Sequence, residues 1–73
     1  MNGEFKYMKE ALATDLAELL VDEHDMNITE ALNVLYDSET YLKLSRPETG
    51  LYFQSTPYVY SFLENELATG KIG

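Results

Sequence analysis

The residues best suited to chemistry form a short polar run, Asp22-Glu23-His24-Asp25, in the first half of the chain. Their carboxylates and imidazole are side chains that can bind metal ions. Adjacent residues of a helix point in different directions, however, and the chain has no cysteine and no second histidine to complete a transition-metal site. The spacing also differs from that of a calcium-binding loop. The run therefore predicts a polar helix end, and we expect no metal and no other cofactor.

No residues of the sequence form a recognisable catalytic constellation. His24 is the only histidine, and none of Ser38, Ser45, Ser55 or Ser61 lies in a motif that would place a base beside it. The glycines form no phosphate-binding pattern. Carboxylates are abundant, but a chain of this size offers no evident deep pocket that would shift their pKa values. We therefore predict that the protein is not an enzyme, has no catalytic residues and binds no small-molecule substrate.

Three carboxylates are expected to form an acidic ridge along the first helix. Asp15, Glu18 and Asp22 are spaced i, i+3 and i+7, so they share the face beside the apolar stripe, and Asp25 extends the ridge if the helix reaches that far. Like charges at these spacings cost roughly a few tenths of a kcal/mol per pair. The pattern fits an ordinary solvated face, and it also fits a docking surface for a basic partner.

A second candidate surface lies in the one long break of the helical pattern, residues 45–57. Leu51, Tyr52 and Phe53 form a dense apolar cluster there, and their β-propensity favours a short extended segment. In such a segment Leu51 and Phe53 face the core and Tyr52 faces away. Because tyrosine is enriched at interfaces and a small core cannot bury all six tyrosines, we predict that this cluster and nearby Tyr58 bind a partner.

Four helices are predicted to position these residues. The first runs from about residue 4 to residue 24, on an apolar stripe of Phe5, Met8, Leu12, Leu16, Leu19 and Leu20. The second begins after the N-cap Asn27, with Glu30 completing a capping box, and ends near residue 36. Its stripe consists of Ile28, Ala31, Leu32 and Leu35.

The remaining two helices are shorter. Either Asp37 or Ser38 caps a helix over residues 39–44, or the second helix continues through this segment with a bend; Tyr41, Leu42 and Leu44 supply its apolar side chains. The last helix runs from residue 57 to about residue 68, with Thr56 as N-cap and Gly70 just past its end. Its predicted stripe contains Val59, Phe62, Leu63 and Leu67.

Length and charge restrict the class of protein. Seventy-three residues make one domain, predicted over residues 1–73, and a chain of this size buries only about 60% of its unfolded surface, so self-association would add stability. The absence of cysteine, of a signal-like run and of a membrane-length segment predicts a cytoplasmic protein without membrane contact. Thirteen acidic residues against five basic ones give a net charge of −8, which disfavours nucleic acid as a partner unless the protein mimics its charge.

A third hypothesis is that the two short central helices form the helix-turn-helix motif of a DNA-binding regulator. The third predicted helix and its flank offer Lys43 and Arg46 against Asp37, Glu39 and Glu48. Recognition helices of this class are basic, so the charges argue against this reading.

Several short motifs occur in a characteristic order: Glu23-His24, Glu30-Ala31-Leu32, Tyr41 to Leu44, Thr49 to Tyr52, and Tyr58-Val59. In these motifs the chain resembles a group of small uncharacterised helical proteins of bacteria. The resemblance covers most of the chain and implies an all-α cytoplasmic domain, with no reaction or ligand assigned. Some members of that group are encoded beside candidate toxin genes, which implies an antitoxin or accessory role.

The sequence thus predicts an all-α fold, a small bundle of three to four helices with an extended apolar connector before the last helix. The leading functional hypothesis is a non-enzymatic protein–protein interaction module that forms a homodimer through Leu51, Tyr52, Phe53 and Tyr58. The alternative is an acidic, antitoxin-like or nucleic-acid-mimicking protein that neutralises a basic partner through Asp15, Glu18 and Asp22.

Overall fold

The computed structural model describes residues 3–70, which form four α-helices and contain no β-strand. The helices are α1 (Gly3–His24), α2 (Ile28–Asp37), α3 (Glu39–Leu44) and α4 (Thr56–Thr69). The predicted all-α fold is confirmed. The single domain predicted over residues 1–73 extends into residues 1–2 and 71–73, which lie outside the described residues. None of the described helices combines the length and the apolar character that crossing a membrane requires.

Local sequence signals build the turn between α1 and α2. Helix α1 ends at His24, and Asp25 reverses the chain with a left-handed φ of 58°. Asn27 then caps α2 as predicted: the Glu30 N–H donates to Asn27 Oδ1 at 2.8 Å, and the Asn27 N–H donates to Glu30 Oε1 at 3.1 Å. With only three residues in the turn, α2 folds back against α1.

Ser38 separates α2 from α3 and resolves the two alternatives left open by the sequence. Its backbone is extended, with φ −82° and ψ 154°, so the two helices are distinct rather than one bent helix. The buried Ser38 hydroxyl donates to the Leu35 carbonyl at 2.6 Å and accepts from the Tyr41 N–H at 3.0 Å. One side chain therefore ends one helix and begins the next.

The connector differs from the extended segment that was predicted. It consists of two 3₁₀ turns, Pro47–Thr49 and Leu51–Phe53, joined by Gly50 at a φ of 73°. The Thr49 hydroxyl donates to the carbonyls of Lys43 and Arg46, at 2.7 and 2.9 Å, and closes the first turn. Hydrogen bonds three residues apart satisfy this backbone locally, and the described residues provide no strand with which an extended segment could pair.

Helix α4 begins one residue earlier than predicted. Ser55, not Thr56, is the N-cap, and its hydroxyl accepts from the Tyr58 N–H at 3.3 Å. The Thr56 side chain is thereby free to bond elsewhere. Gly70 ends the helix in the left-handed conformation, with φ 85°, as expected for glycine just after a helix.

The core forms where α1 meets the other helices. Most of the predicted stripe positions are buried, as are two alanines of α1 and one tyrosine of α4. The buried apolar cluster consists of Leu12, Ala13, Leu16, Ala17, Leu20, Ala31, Leu35, Leu44, Val59, Tyr60 and Leu63.

Three residues that were predicted to be apolar packing positions are instead exposed. Ile28 is 52% exposed in the first turn of α2, Leu42 is 54% exposed on α3, and Leu67 is 38% exposed near the end of α4. Ile28 and Leu67 lie near helix ends, beyond the buried part of each stripe.

A contact between α4 and α3 had no counterpart in the sequence signals. The Glu66 carboxylate accepts hydrogen bonds from the Glu39 N–H at 2.7 Å, the Thr40 N–H at 3.1 Å and the Thr40 hydroxyl at 2.8 Å. Thr40 is fully buried. A carboxylate of the last helix therefore satisfies backbone donors at the start of α3, where unpaired N–H groups would otherwise be costly.

Candidate interaction surfaces

Three aromatic rings from α1 and the second 3₁₀ turn pack into one unit, which we call the aromatic stack: Phe5, Tyr52 and Phe53. The Tyr52 ring contacts the Phe5 ring edge-on, with centroids 4.8 Å apart, and stacks on the Phe53 ring at 4.2 Å. Phe5 is buried and Tyr52 is half-buried, whereas Phe53 is 65% exposed. The result is a large apolar ring held on the surface by the rings beneath it.

The side-chain directions predicted for Tyr52 and Phe53 were wrong, whereas Leu51 faces the core as predicted. Phe53 faces outward rather than toward the core, and Tyr52 packs inward against Phe5. Leu51 is half-buried and packs against the core. The reason is the backbone: a 3₁₀ turn spaces successive side chains by about 120°, whereas an extended segment alternates them between two faces.

Tyr58 belongs to a different element from the other predicted contact residues. Its ring packs edge-on against Phe62 within α4, with centroids 5.1 Å apart, and it is 48% exposed. The four residues predicted to share one surface are therefore divided between the 3₁₀ turn and the first turn of α4.

Lys9 extends the aromatic stack toward α3. Its ammonium nitrogen lies 5.8 Å from the ring centroids of both Phe5 and Tyr41, which are cation–π distances. Tyr41 in turn contacts the ring of Tyr36 edge-on at 5.0 Å. Aromatic side chains thus form a band from α2 to the connector, with one cation between its two halves.

The acidic ridge lies along a groove between α1 and the start of α4. Asp15, Glu18 and Asp22 are exposed, and they line a groove of about 330 Å³ whose other walls are Leu19, Thr56 and Pro57. The Thr56 hydroxyl donates to Asp15 Oδ2 at 3.1 Å. One carboxylate of the ridge therefore also fastens α4 to α1. Asp25 lies beyond the end of α1, in the turn, and does not continue the ridge.

Charge is distributed very unevenly between two parts of the chain. We call residues 3–14 and 38–56 the connector end, because α1's first turns, α3 and the connector meet there. It holds four basic residues, Lys6, Lys9, Lys43 and Arg46, against four acidic ones, Glu4, Glu10, Glu39 and Glu48. The remaining described residues, 15–37 and 57–70, contain nine carboxylates and no lysine or arginine.

The predicted polar end of α1 makes a contact with α4. His24 Nε2 lies 2.8 Å from Glu64 Oε2, and both side chains are about one-third exposed. Next to this pair lies the buried hydroxyl of Tyr60, which has no hydrogen-bond partner of standard geometry within residues 3–70. Burial, and then the carboxylates of Glu64 and Glu23, raise the pKa of Tyr60 far above its ordinary value of 10.0.

The same neighbours act in the opposite direction on Glu64. The Tyr60 hydroxyl, and then His24, lower the pKa of the Glu64 carboxyl below its ordinary value of 4.5, so this group is ionised at neutral pH. Within the described part of the chain, no three side chains of the metal-binding types are placed to share a metal ion.

Comparison with protein families, with curated proteins and with solved structures finds no match to this chain. The resemblance to the bacterial group therefore stays a prediction. The fold and these surfaces define a small all-α bundle that carries an exposed aromatic stack at one end and carboxylate-lined grooves along α1 and α4.

Proposed function

We propose that the protein is a non-enzymatic protein–protein interaction module that forms a homodimer through the aromatic stack. The observation that carries this proposal is Phe53, which is 65% exposed although it is the largest apolar side chain of the connector. Contiguous exposed apolar surface, rather than a single exposed side chain, marks interaction sites, and Phe53 is continuous with the half-buried Tyr52 ring on which it stacks.

The stack is also held in place before any partner binds. Phe53 stacks on Tyr52, and Tyr52 packs against the buried Phe5, so the exposed ring loses little conformational freedom on association. Preorganised aromatic side chains of this kind contribute most of the binding energy at many interfaces.

The distribution of charge supports the same surface. A second copy that approached the acidic ridge would meet Asp15, Glu18 and Asp22, and residues 15–37 and 57–70 contain no lysine or arginine to compensate them. At the connector end, basic and acidic residues balance, so two copies can meet there without net repulsion despite the overall charge of −8. A two-fold dimer would pair the same surface of both copies and direct the acidic parts outward.

The test is the oligomeric state of wild type and of Phe53→Asp, measured by light scattering and sedimentation across a range of protein concentrations. We expect wild-type dimers, and we expect Phe53→Asp to raise the dimer dissociation constant about 100-fold or more while the helices remain folded. Tyr58→Asp is the matched control, because it adds the same charge at an exposed ring outside the stack. A wild type that stays monomeric at high micromolar concentration contradicts the proposal, as does an equal effect of both substitutions.

A second candidate function is the neutralisation of a basic partner, as an antitoxin-like or nucleic-acid-mimicking protein. The specific observation in its favour is the groove, in which Glu18 and Asp22 stand beside apolar walls formed by Leu19 and Pro57. Lysine and arginine side chains combine a charged head with an apolar stem, and such a groove suits both parts.

Charge reversal tests this second candidate. We expect Glu18→Lys combined with Asp22→Lys to abolish binding of basic proteins from the native host. The matched control is Asp37→Lys combined with Glu48→Lys, which makes the same change of charge at exposed positions outside the groove. If both double variants retain every partner of the wild type, the candidate fails.

A further inference from the structure

A groove where α1, α2 and α3 meet lies outside the aromatic stack and the acidic ridge, and we call it the tyrosine groove. Its volume is about 310 Å³, and it is more enclosed than the groove beside the acidic ridge. Each of the three helices contributes to its walls. The residues that line it are Glu10, Ala13, Thr14, Leu32, Tyr36 and Tyr41. The groove therefore combines two aromatic rings, apolar side chains and one carboxylate.

The two tyrosine rings of the groove form an angled pair. Tyr36 and Tyr41 contact one another edge to face, with centroids 5.0 Å apart and ring planes inclined at 63°. Tyr36 is 54% exposed and Tyr41 is half-buried, so both rings keep surface that a ligand can reach. The face of an aromatic ring is electron-rich and attracts cations. The pair therefore offers a cation two inclined surfaces within one groove.

The carboxylate of Glu10 adds a full negative charge to the same groove. Glu10 is exposed, and within residues 3–70 its side chain forms no salt bridge. Apolar surface of Ala13 and Leu32 completes the walls. Aromatic rings are the typical binding partners of quaternary ammonium groups, whose charge is spread over apolar methyl groups. The composition of the groove matches this chemistry.

We propose that the tyrosine groove binds the quaternary ammonium group of a small organic cation such as choline. A quaternary ammonium suits the groove better than the ammonium of a lysine, because it has no N–H donor that must find an acceptor and is less strongly hydrated. The volume of about 310 Å³ lies at the small end of the range for ligand pockets, which fits a ligand of this size.

One basic side chain lies beside the same pair of rings. Lys9 Nζ is 5.8 Å from the centroid of Tyr41, although Lys9 is not among the walls of the groove. This contact shows that the Tyr41 ring already engages a cation, and the Lys9 ammonium also repels a second one. The carboxylate of Glu10 offsets that repulsion, so the two rings account for most of the affinity.

The test uses the full chain with choline as the probe, followed by backbone amide chemical shifts in NMR titrations. The matched neutral ligand is 3,3-dimethyl-1-butanol, which has the same shape with carbon in place of the charged nitrogen. We expect choline to shift the amides of Glu10, Tyr36 and Tyr41 with saturation, and the neutral alcohol to bind at least about tenfold more weakly. Sodium chloride at equal concentration controls for ionic strength.

Substitutions at one ring separate a cation–π contact from general attraction of a cation. Tyr36→Leu removes the ring and is expected to weaken choline about fivefold, whereas Tyr36→Phe keeps the ring and should change the affinity less than about twofold. Tyr58→Leu is the matched control, because it removes a ring of similar exposure outside the groove, and it should leave the affinity unchanged. Circular dichroism checks that each variant remains folded.

Charge substitutions test the two neighbouring groups of opposite sign. Glu10→Gln is expected to weaken choline about threefold, because the carboxylate in the groove is lost. Glu18→Gln removes the same charge from the acidic ridge and should change the affinity by less than about 1.5-fold. Lys9→Gln is expected to strengthen choline about twofold, since it removes the repelling ammonium beside Tyr41.

Three results would overturn the proposal. The first is no saturable shift with choline, the second is equal binding of the neutral alcohol, and the third is an equal loss of affinity in Tyr36→Leu and Tyr58→Leu. A blocked peptide containing trimethyl-lysine serves as a further probe. Tighter binding of this peptide than of choline would overturn the assignment to a free small molecule and would indicate a protein partner instead.

Discussion

The connector and α4 are fastened to the rest of the molecule in different ways. The connector is held by a contact between aromatic rings, because the Tyr52 ring packs against the Phe5 ring of α1. Beyond its buried apolar residues, α4 has polar contacts with α1 and α3 along its length, through Thr56, Glu64 and Glu66. The contacts also differ in burial, because Glu66 bonds to the fully buried Thr40, whereas Glu64 and its partner His24 are about one-third exposed. We infer that burial, rather than polar or apolar character, decides how much each contact contributes to stability.

The largest effect is expected at the buried polar contact. Glu66→Ala leaves the N–H groups of Glu39 and Thr40 and the Thr40 hydroxyl without their acceptor, so we expect a loss of about 3 kcal/mol in the free energy of unfolding. Urea denaturation measures this loss. Asn65→Ala is the control, since it truncates an exposed neighbour on the same helix. A loss no greater than that of the control would mean that the contact with α3 is energetically unimportant.

A somewhat smaller effect is expected at the ring contact. Tyr52→Ala removes a half-buried ring from between Phe5 and Phe53, and we expect a loss of about 2 kcal/mol in the free energy of unfolding. Phe53→Ala removes a ring that is mostly exposed and should cost less than about 1 kcal/mol in the same measurement. Equal losses would show that the stack does not fasten the connector to α1. The measurement should be made at concentrations where the protein is monomeric, so that dimer formation does not enter the comparison.

The smallest effect is expected at the exposed polar contact, and it should depend on pH. Because the folded protein lowers the pKa of Glu64 below 4.5, this carboxylate stabilises the fold above that pH. The stabilisation is lost as pH falls through the lowered pKa of the folded state. We expect the free energy of unfolding of wild type to exceed that of Glu64→Gln by less than about 1 kcal/mol at pH 6. This difference should vanish in strong acid, where Glu64 is protonated in the folded and unfolded states alike.

Chemical denaturation of both proteins at several pH values tests this prediction. Tyr52→Ala serves as the comparison, because its loss arises from apolar packing. A difference between wild type and Glu64→Gln that does not change with pH would contradict the role of the charged carboxylate.

The local signals of the sequence predicted the helices well. The capping box of Asn27 and Glu30 and the ending at Gly70 are found in the structure, and Ser38 proves to be the cap among the alternatives left open, whereas the N-cap of α4 is Ser55 rather than the predicted Thr56. Errors of local structure arose in the connector, where residues of high β-propensity form a 3₁₀ turn instead of an extended segment. A high β-propensity reflects how well a side chain packs on the pleated surface of a sheet beside neighbouring strands. The described residues form no strand beside which this segment could pack.

The candidate sites were less accessible to sequence reasoning. The acidic ridge was visible because its residues lie on one helix, and its groove depends on Thr56 and Pro57 of a distant helix. Glu64 gave no signal at all, since its contact is with His24, forty positions away. The exposed ring of Phe53 was assigned to the contact surface and at the same time predicted to face the core, and the turn geometry decided between these two positions.

The sequence by itself determined, to within about one residue, where α1 ends, where α2 begins and where α4 begins and ends, because caps, glycines and apolar spacing act over three or four neighbouring residues. Only the tertiary structure decided which side chains meet. The contacts of Glu66 with Thr40, of Glu64 with His24 and of Thr56 with Asp15 join residues 26 to 41 positions apart. Such contacts depend on the packing of whole helices against one another, and no short stretch of the chain contains both partners.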